Sequence, residues 1–294
     1  MIKYIERTRD YYAAQGYSPY EWASNDTIPF ASVKKPLSES RLVLITTAAP
    51  YREDLPDQGP GAPYNAAAKF FDVYTAAVDP CPDLRISHIG YDRQHCRADD
   101  SNTWLPVAAL RRAQHEGVIA DLAPELIGVP TNRSQRVTLD QDARNTLEHT
   151  RALQADVALL VPNCPVCHQS VSLIARHLEE HDIPTVVMGC ARDIVEGVGV
   201  PRFWWSDFPL GHSAGKPHDS ESQDATLAGA LQLFTSSKNP TPTVQSPQIW
   251  SDSDEWKRDF MNVANLSSTQ LNQLRSEHEK ARALRKNGDR RTSG

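Results

Sequence analysis

Cys164 and Cys167 are separated by Pro165-Val166 and followed at once by His168. Two thiols this close can close a disulfide, which is what a two-electron thiol reductant requires. The apolar run Val157-Ala158-Leu159-Leu160-Val161 precedes them, and a helical pattern over 170–180 follows. Strand, turn and helix in that order set both sulfurs at the carboxyl end of a strand and against a helix N-terminus. The partial positive charge there favours a thiolate, so Cys164 is expected to be the acidic, nucleophilic member. Pro165 restrains the turn. His168 can lower a thiol pKa as an imidazolium or deliver a proton as a general acid. The competing uses of such a pair are a zinc half-site or two buried thiols. The chain has no second C-x-x-C, so a metal site would need His168 and Cys190 to be brought in by folding.

Other polar groups are placed to surround a small molecule. Cys190 follows the apolar run Val186-Val187-Met188-Gly189. If that run and 157–161 are adjacent parallel strands, Cys190 opens on the same sheet edge as Cys164, where α/β sheets bind ligands. Asn163 directly precedes the first thiol. Asp92 and Arg93 head a polar run that reaches Asn102, and Arg93 suits a bidentate grip on a carboxylate. Thr131-Asn132-Arg133-Ser134-Gln135-Arg136 follows Pro130 as a polar loop, with Asn132 and Arg133 able to cradle an anion. Each also reads as ordinary surface or helix cap. The block Phe203-Trp204-Trp205-Ser206-Asp207-Phe208 reads as core or interface, with Asp207 partly desolvated among aromatics.

The elements that must position these residues alternate. Arg41 to Ala49 and Leu84 to Gly90 read as strands, and Pro50 to Pro63 as a loop. A helix begins near Pro106 and stops at Gly117; a second spans Asp142 to Leu153. Val157–Val161, the 170–180 helix and Thr185–Met188 make a βαβ unit, hence parallel strands. The expected fold class is α/β: an open, mainly parallel sheet with helices on both faces and a C-terminal helical tail. Three regions are expected: a polar lead-in over 1–40, an α/β domain over 41–235, and a linker with a charged helix over 236–294. Trp250 and Trp256 are placed to pin that tail to the body.

Composition narrows the function. The chain has 294 residues, a formal net charge of -6, 39% hydrophobic and 23% charged residues. That balance argues against nucleic acid as the partner. No apolar run approaches the roughly 20 residues a membrane span needs. The polar start Met1-Ile2-Lys3-Tyr4 does not read as a signal peptide, so a cytoplasmic protein is expected. There the five cysteines stay reduced unless they work in redox chemistry.

Five blocks stand out: Leu84-Arg85-Ile86-Ser87-His88-Ile89-Gly90-Tyr91-Asp92-Arg93, Asp100-Ser101-Asn102-Thr103-Trp104-Leu105-Pro106, Gly128 through Arg136, Val161 through His168, and Val200 through Gly211. Together they resemble the selenoprotein B family of the glycine, sarcosine, betaine and D-proline reductases. The resemblance covers roughly 40–220. It implies an oxidoreductase in which a selenol or thiol attacks the α-carbon of a bound amino acid or amine and cleaves a C–N bond reductively. It also implies a partner subunit, often pyruvoyl-bearing. This sequence carries no selenocysteine and no pyruvoyl processing site, so only Cys164 and Cys167 carry over, as a redox pair. No cofactor is expected beyond those cysteines and an external thiol donor such as thioredoxin. The expected partners are a small-molecule substrate, a partner subunit or thioredoxin-like donor, and further copies of the chain in a homo-oligomer. Two other classes stay open: a cofactor-independent racemase using Cys164 and Cys190, and a non-catalytic subunit whose C-x-x-C binds zinc or regulates.

Overall fold

A computed structural model describes residues 1–18, 20–51, 69–86, 88 and 90–291. The loop expected over 50–63 lies mostly outside the described residues, as do positions 87 and 89 of the expected strand.

The strands are β1 (Arg41–Thr46), β2 (Ala49–Pro50), β3 (Tyr74–Ala77), β4 (Leu84–Arg85), β5 (Asp121–Leu122), β6 (Glu125–Gly128), β7 (Val157–Val161), β8 (Thr185–Gly189), β9 (Phe203–Trp205) and β10 (Val244–Gln245). The helices are α1 (Tyr4–Ala14), α2 (Val107–His115), α3 (Gln135–Val137), α4 (Ala143–Ala152), α5 (Pro165–Glu180), α6 (Arg192–Val198), α7 (Ser220–Ser236), α8 (Glu255–Asp259) and α9 (Ser268–Arg291).

The main sheet runs β10-β9-β8-β7-β1-β6-β3, with β5 also against β1. Every pairing is parallel except β3 with β6. β2 and β4 form a separate antiparallel ribbon. Side chains alternate between two cores, as the strand period demands. Leu42, Leu44, Leu159 and Met188 face Leu110, Leu227 and Phe234. Val43, Ile45, Leu160 and Val187 face Leu147, Val171, Ile174 and Leu178. Continuous apolar runs such as Val157–Val161 are what a parallel strand covered on both faces requires. The fold is therefore the α/β architecture expected, with α9 as the C-terminal helix. Among the described residues no helix is long and apolar enough to cross a membrane.

Several elements depart from the sequence reading. The stretch over 1–40 is not merely a polar lead-in. It contains α1, which buries Tyr4, Thr8 and Tyr12; an aromatic face gives a weak aliphatic period. The expected strand over 84–90 shrinks to two residues in the side ribbon. The Phe203-Trp204-Trp205 block is an interior strand. α5 starts at Pro165, five residues before the expected pattern, so the C-x-x-C is itself the first turn. Trp256 is buried and Trp250 packs on Phe208 and His212, as expected of pins for the tail.

The extended segment before β1 is tied to the body by a buried ion pair. Arg202 Nη1 donates to Glu179 Oε1 at 2.9 Å, and both side chains are fully buried. Arg202 Nη2 donates to the Ala31 carbonyl, and Glu179 accepts from the Ala31 and Thr185 N–H groups. Removing one partner leaves an uncompensated buried charge. Arg202→Met should therefore lower unfolding stability by about 3–5 kcal/mol in urea titration at neutral pH. Arg202→Met with Glu179→Gln should recover part of that loss. A single-variant loss below about 1 kcal/mol would show that the pair contributes no more than a surface contact.

Candidate functional site

β1, β6, β7 and β8 are parallel, so their carboxyl ends open on one edge. Thr47, Thr131, Asn163-Cys164 and Cys190 all emerge there, as the sequence reading required of Cys164 and Cys190. Chain order reverses around β1, the kind of switch point where a crevice forms.

Cys164 is the N-cap of α5. Its Sγ accepts from the Cys167 N–H at 3.2 Å, and Pro165 occupies the first turn, where its missing N–H costs nothing. The two sulfurs are 2.7 Å apart and unbridged, and both are buried. Cys167 Sγ also meets Thr131 Oγ1 at 3.2 Å. Burial raises the Cys167 thiol, but the Cys164 thiol, the neighbouring His88 ring and the Thr131 hydroxyl more than offset it and hold Cys167 well below the usual thiol range. Burial, together with the hydrogen bond and charge of Cys167, pushes Cys164 well above it. The surroundings thus favour ionisation of Cys167 over Cys164. The sequence reading expected Cys164 to be the acidic member, from the helix N-terminus.

His168 is fully buried and its ring is bonded on both sides. Nδ1 meets the Cys164 carbonyl at 2.7 Å, and Nε2 accepts the Cys190 N–H at 2.9 Å. Gly189 makes this possible, because a Cβ there would come within 2.8 Å of the ring. Burial holds His168 at about 4. It is a neutral clamp between the ends of β7 and β8, with no proton to deliver; the general-acid role expected of it does not fit this geometry.

Cys190 is tied to the site through that clamp and shares a buried cluster with Cys164 and Cys167. Burial pushes its thiol to about 12, and its Sγ faces Ser213 Oγ at 3.9 Å. Asn163 donates from Nδ2 to Thr47 Oγ1 at 3.0 Å, and its buried Oδ1 has no partner among the described residues.

The loop over 130–136 divides its duties. Thr131 touches the thiol. Asn132 Nδ2 donates to Asp142 Oδ2 at 2.7 Å, in the π-helical turn Thr138–Asp142, and burial raises Asp142 to about 6. Ser134 caps α3. Arg133 lies over the rings of Tyr12, Tyr17 and Tyr20, 4.5–5.1 Å from their centroids. Those tyrosines come from α1 and the segment after it. Tyr12 and Tyr20 stand close enough to Cys164 and Cys167 for a thiolate to help burial raise their phenol pKa values.

His88 and residues 90–95 cover the turn from the other side. A Cβ at Gly90 would lie 2.5 Å from Pro165 Cδ, so this close approach needs glycine. Arg93 Nη1 donates to the His88 carbonyl at 2.6 Å and Nη2 to the Ile86 carbonyl at 3.2 Å. Asp92 is buried and accepts from the His95 ring and the backbone N–H groups of Gln94 and His95. Asp92 and Arg93 thus shape the loop that sets His88 beside Cys167, and His88 Nδ1 is buried without a partner among the described residues. Sequence reasoning missed His88, Thr131 and the tyrosines as thiol neighbours. His88 does lie inside a block that carried the family resemblance. Among the described residues no group of three or more His, Cys, Asp and Glu side chains is arranged to hold a metal.

Comparison with known proteins places this geometry in context. The chain is 26% identical over 201 residues to the gamma subunit of D-proline reductase from Acetoanaerobium sticklandii, an alignment covering 68% of this chain and 80% of that subunit. This is distant homology to a subunit of one of the reductases in the family that the sequence blocks resemble. No protein-family model matches the chain, and no solved structure matches it with significance.

Proposed function

We propose, from distant homology to a reductase subunit and a buried, closely spaced dithiol, that this chain is the thiol-bearing component of a reductase. It reductively cleaves a small amino-acid or amine-like substrate, alone or with a partner subunit. The observation that carries this reading is the Cys164/Cys167 pair, 2.7 Å apart, with two buried polar atoms beside it that have no partner among the described residues, Asn163 Oδ1 and His88 Nδ1. Buried polar atoms without partners cost free energy unless a ligand satisfies them.

Cys164 attacks the substrate carbon as its proton passes to Cys167, and the C–N bond breaks. The departing nitrogen takes a proton from His88. Cys167 then passes the proton it took from Cys164 to His88 and attacks Cys164 Sγ, forming the disulfide. The released carbon fragment takes that proton from His88. The two sulfurs supply the electron pair, and one hydrogen ends on nitrogen and one on carbon. An external dithiol restores the thiols by exchange. Arg133 is the group placed to hold the substrate carboxylate, supported on its tyrosine faces. Arg93 and Asp92 act by positioning His88, and Asn163 Oδ1 accepts from the substrate amine.

Thiol mapping by mass spectrometry tests the redox pair. The reduced protein is oxidised by air or by oxidised thioredoxin, alkylated and digested. A Cys164–Cys167 disulfide that dithiothreitol reverses is the expected product. Recovery of both residues as free thiols under conditions that oxidise a control dithiol protein would overturn the proposal.

A further inference from the structure

A second cysteine meets a base outside this site. Cys96 Sγ lies 2.6 Å from His212 Nε2. His212 is fully buried, and its Nδ1–H donates to the Pro209 carbonyl at 3.0 Å. That bond leaves the Nε2 lone pair facing the sulfur. The ring is held in place by Tyr91 and Trp250, with centroids 5.8 and 4.7 Å away. Two further groups converge on the sulfur: the Ala98 N–H at 3.3 Å and the Tyr91 hydroxyl at 3.4 Å. Ala98 takes a left-handed backbone, φ +52°, next to this contact.

Nucleophile, base and a fixed acceptor that orients the base are together here; burial raises the Cys96 thiol and holds His212 low, so the proton moves to Nε2 only as the sulfur attacks and no thiolate stands in the resting protein. Access also separates Cys96 from the other thiols near the sheet edge: Cys164, Cys167 and Cys190 are buried, whereas Cys96 is partly exposed. None of the groups around Cys96 takes part in the reaction proposed above.

We propose that Cys96 and His212 form a second thiol centre, which exchanges with small disulfides. Cys96 attacks one sulfur of the disulfide while His212 Nε2 takes its proton. The S–S bond breaks, a mixed disulfide forms on Cys96, and His212 returns the proton to the departing thiolate. The sulfur is oxidised and the external disulfide reduced by the same two electrons. The Ala98 N–H and the Tyr91 hydroxyl stabilise the charge that develops on Cys96 during attack.

The test is time-resolved mass-spectrometric mapping of the reduced full-length protein incubated with glutathione disulfide. Cys81, which is exposed, is the internal reference. Cys96 should gain the mixed disulfide at least about tenfold faster than Cys81, within the range that general-base assistance contributes. His212→Gln should remove that advantage while leaving the Cys81 rate unchanged. Tyr91→Phe should slow Cys96 by a few-fold, consistent with loss of one hydrogen bond to the developing charge. Modification of Cys96 no faster than Cys81 in the unaltered protein overturns the proposal, whether or not the variants fold. So does a folded His212→Gln protein that reacts at the wild-type rate.

Discussion

Cys164→Ser should abolish the proposed reductive turnover, and Cys167→Ser should stop the reaction one step later with the substrate fragment bonded to Cys164. A hydroxyl in place of the attacking thiol is a far poorer nucleophile at neutral pH. The expected loss is at least about a thousandfold, the scale on which removing a covalent nucleophile acts. The Cys167 variant keeps the attacking sulfur but lacks the one that closes the disulfide. It should yield less than one equivalent of product and an added mass on the peptide carrying Cys164. The two variants should also separate spectroscopically. Any thiolate absorbance in the ultraviolet should fall more in Cys167→Ser than in Cys164→Ser, because the groups around Cys167 hold its thiol well below the usual range. The measurements are single-turnover assays with small amino acids and amines under a dithiol reductant, intact mass after quenching, and an absorbance titration. Sustained turnover by Cys164→Ser would remove the dithiol scheme. A fall no larger in Cys167→Ser than in Cys164→Ser would move the preference back to Cys164.

Acidification should destabilise the fold through two histidines. Burial holds His168 and His212 at about 4 in the folded chain, against 6.5 for a free imidazole. For a group depressed on folding, the stabilisation is complete above the unfolded value and is lost as pH falls toward the folded one. Each histidine therefore costs about 3 kcal/mol between pH 7 and 4. Asp142 works in the opposite sense. Its folded value, about 6, lies above the ordinary 3.8, so its contribution is present below about 4 and is lost as pH rises through about 6. It returns about 2–3 kcal/mol over the same interval, leaving a net loss of about 3 kcal/mol from the three groups. Asp142→Asn should raise stability at pH 7 and steepen the acid loss to about 6 kcal/mol, read by urea titration at a series of pH values. The Asn132 amide still has a side-chain oxygen to donate to in that variant. An acid loss unaltered by Asp142→Asn would remove the assigned role of that carboxyl.

Legibility followed the range of the interaction. β1, β7 and β8 were readable because a strand covered on both faces must be apolar throughout. β3 and β9 were not: one is an antiparallel edge strand of mixed character, the other three aromatic residues with no alternation. α1 hid because its buried face is tyrosine and threonine. The polar loop at 130–136 was readable as polar, but not as three different things, a thiol contact, a partly buried amide–carboxyl pair and a helix cap.

The sequence by itself determined that two thiols stand at the junction of a parallel strand and a helix, since Val157–Val161, Pro165 and the helical run are local signals. It also determined that Cys190 opens on the same edge, because consecutive parallel strands share a direction. Only the tertiary structure decided what surrounds each sulfur and how the His168 ring is held. His88 and Thr131 reach Cys167 from separate loops, and the Cys190 N–H closes the second bond of His168. Desolvation and the partners of a buried proton depend on groups that folding brings together from distant positions, and residue spacing along the chain carries no record of them.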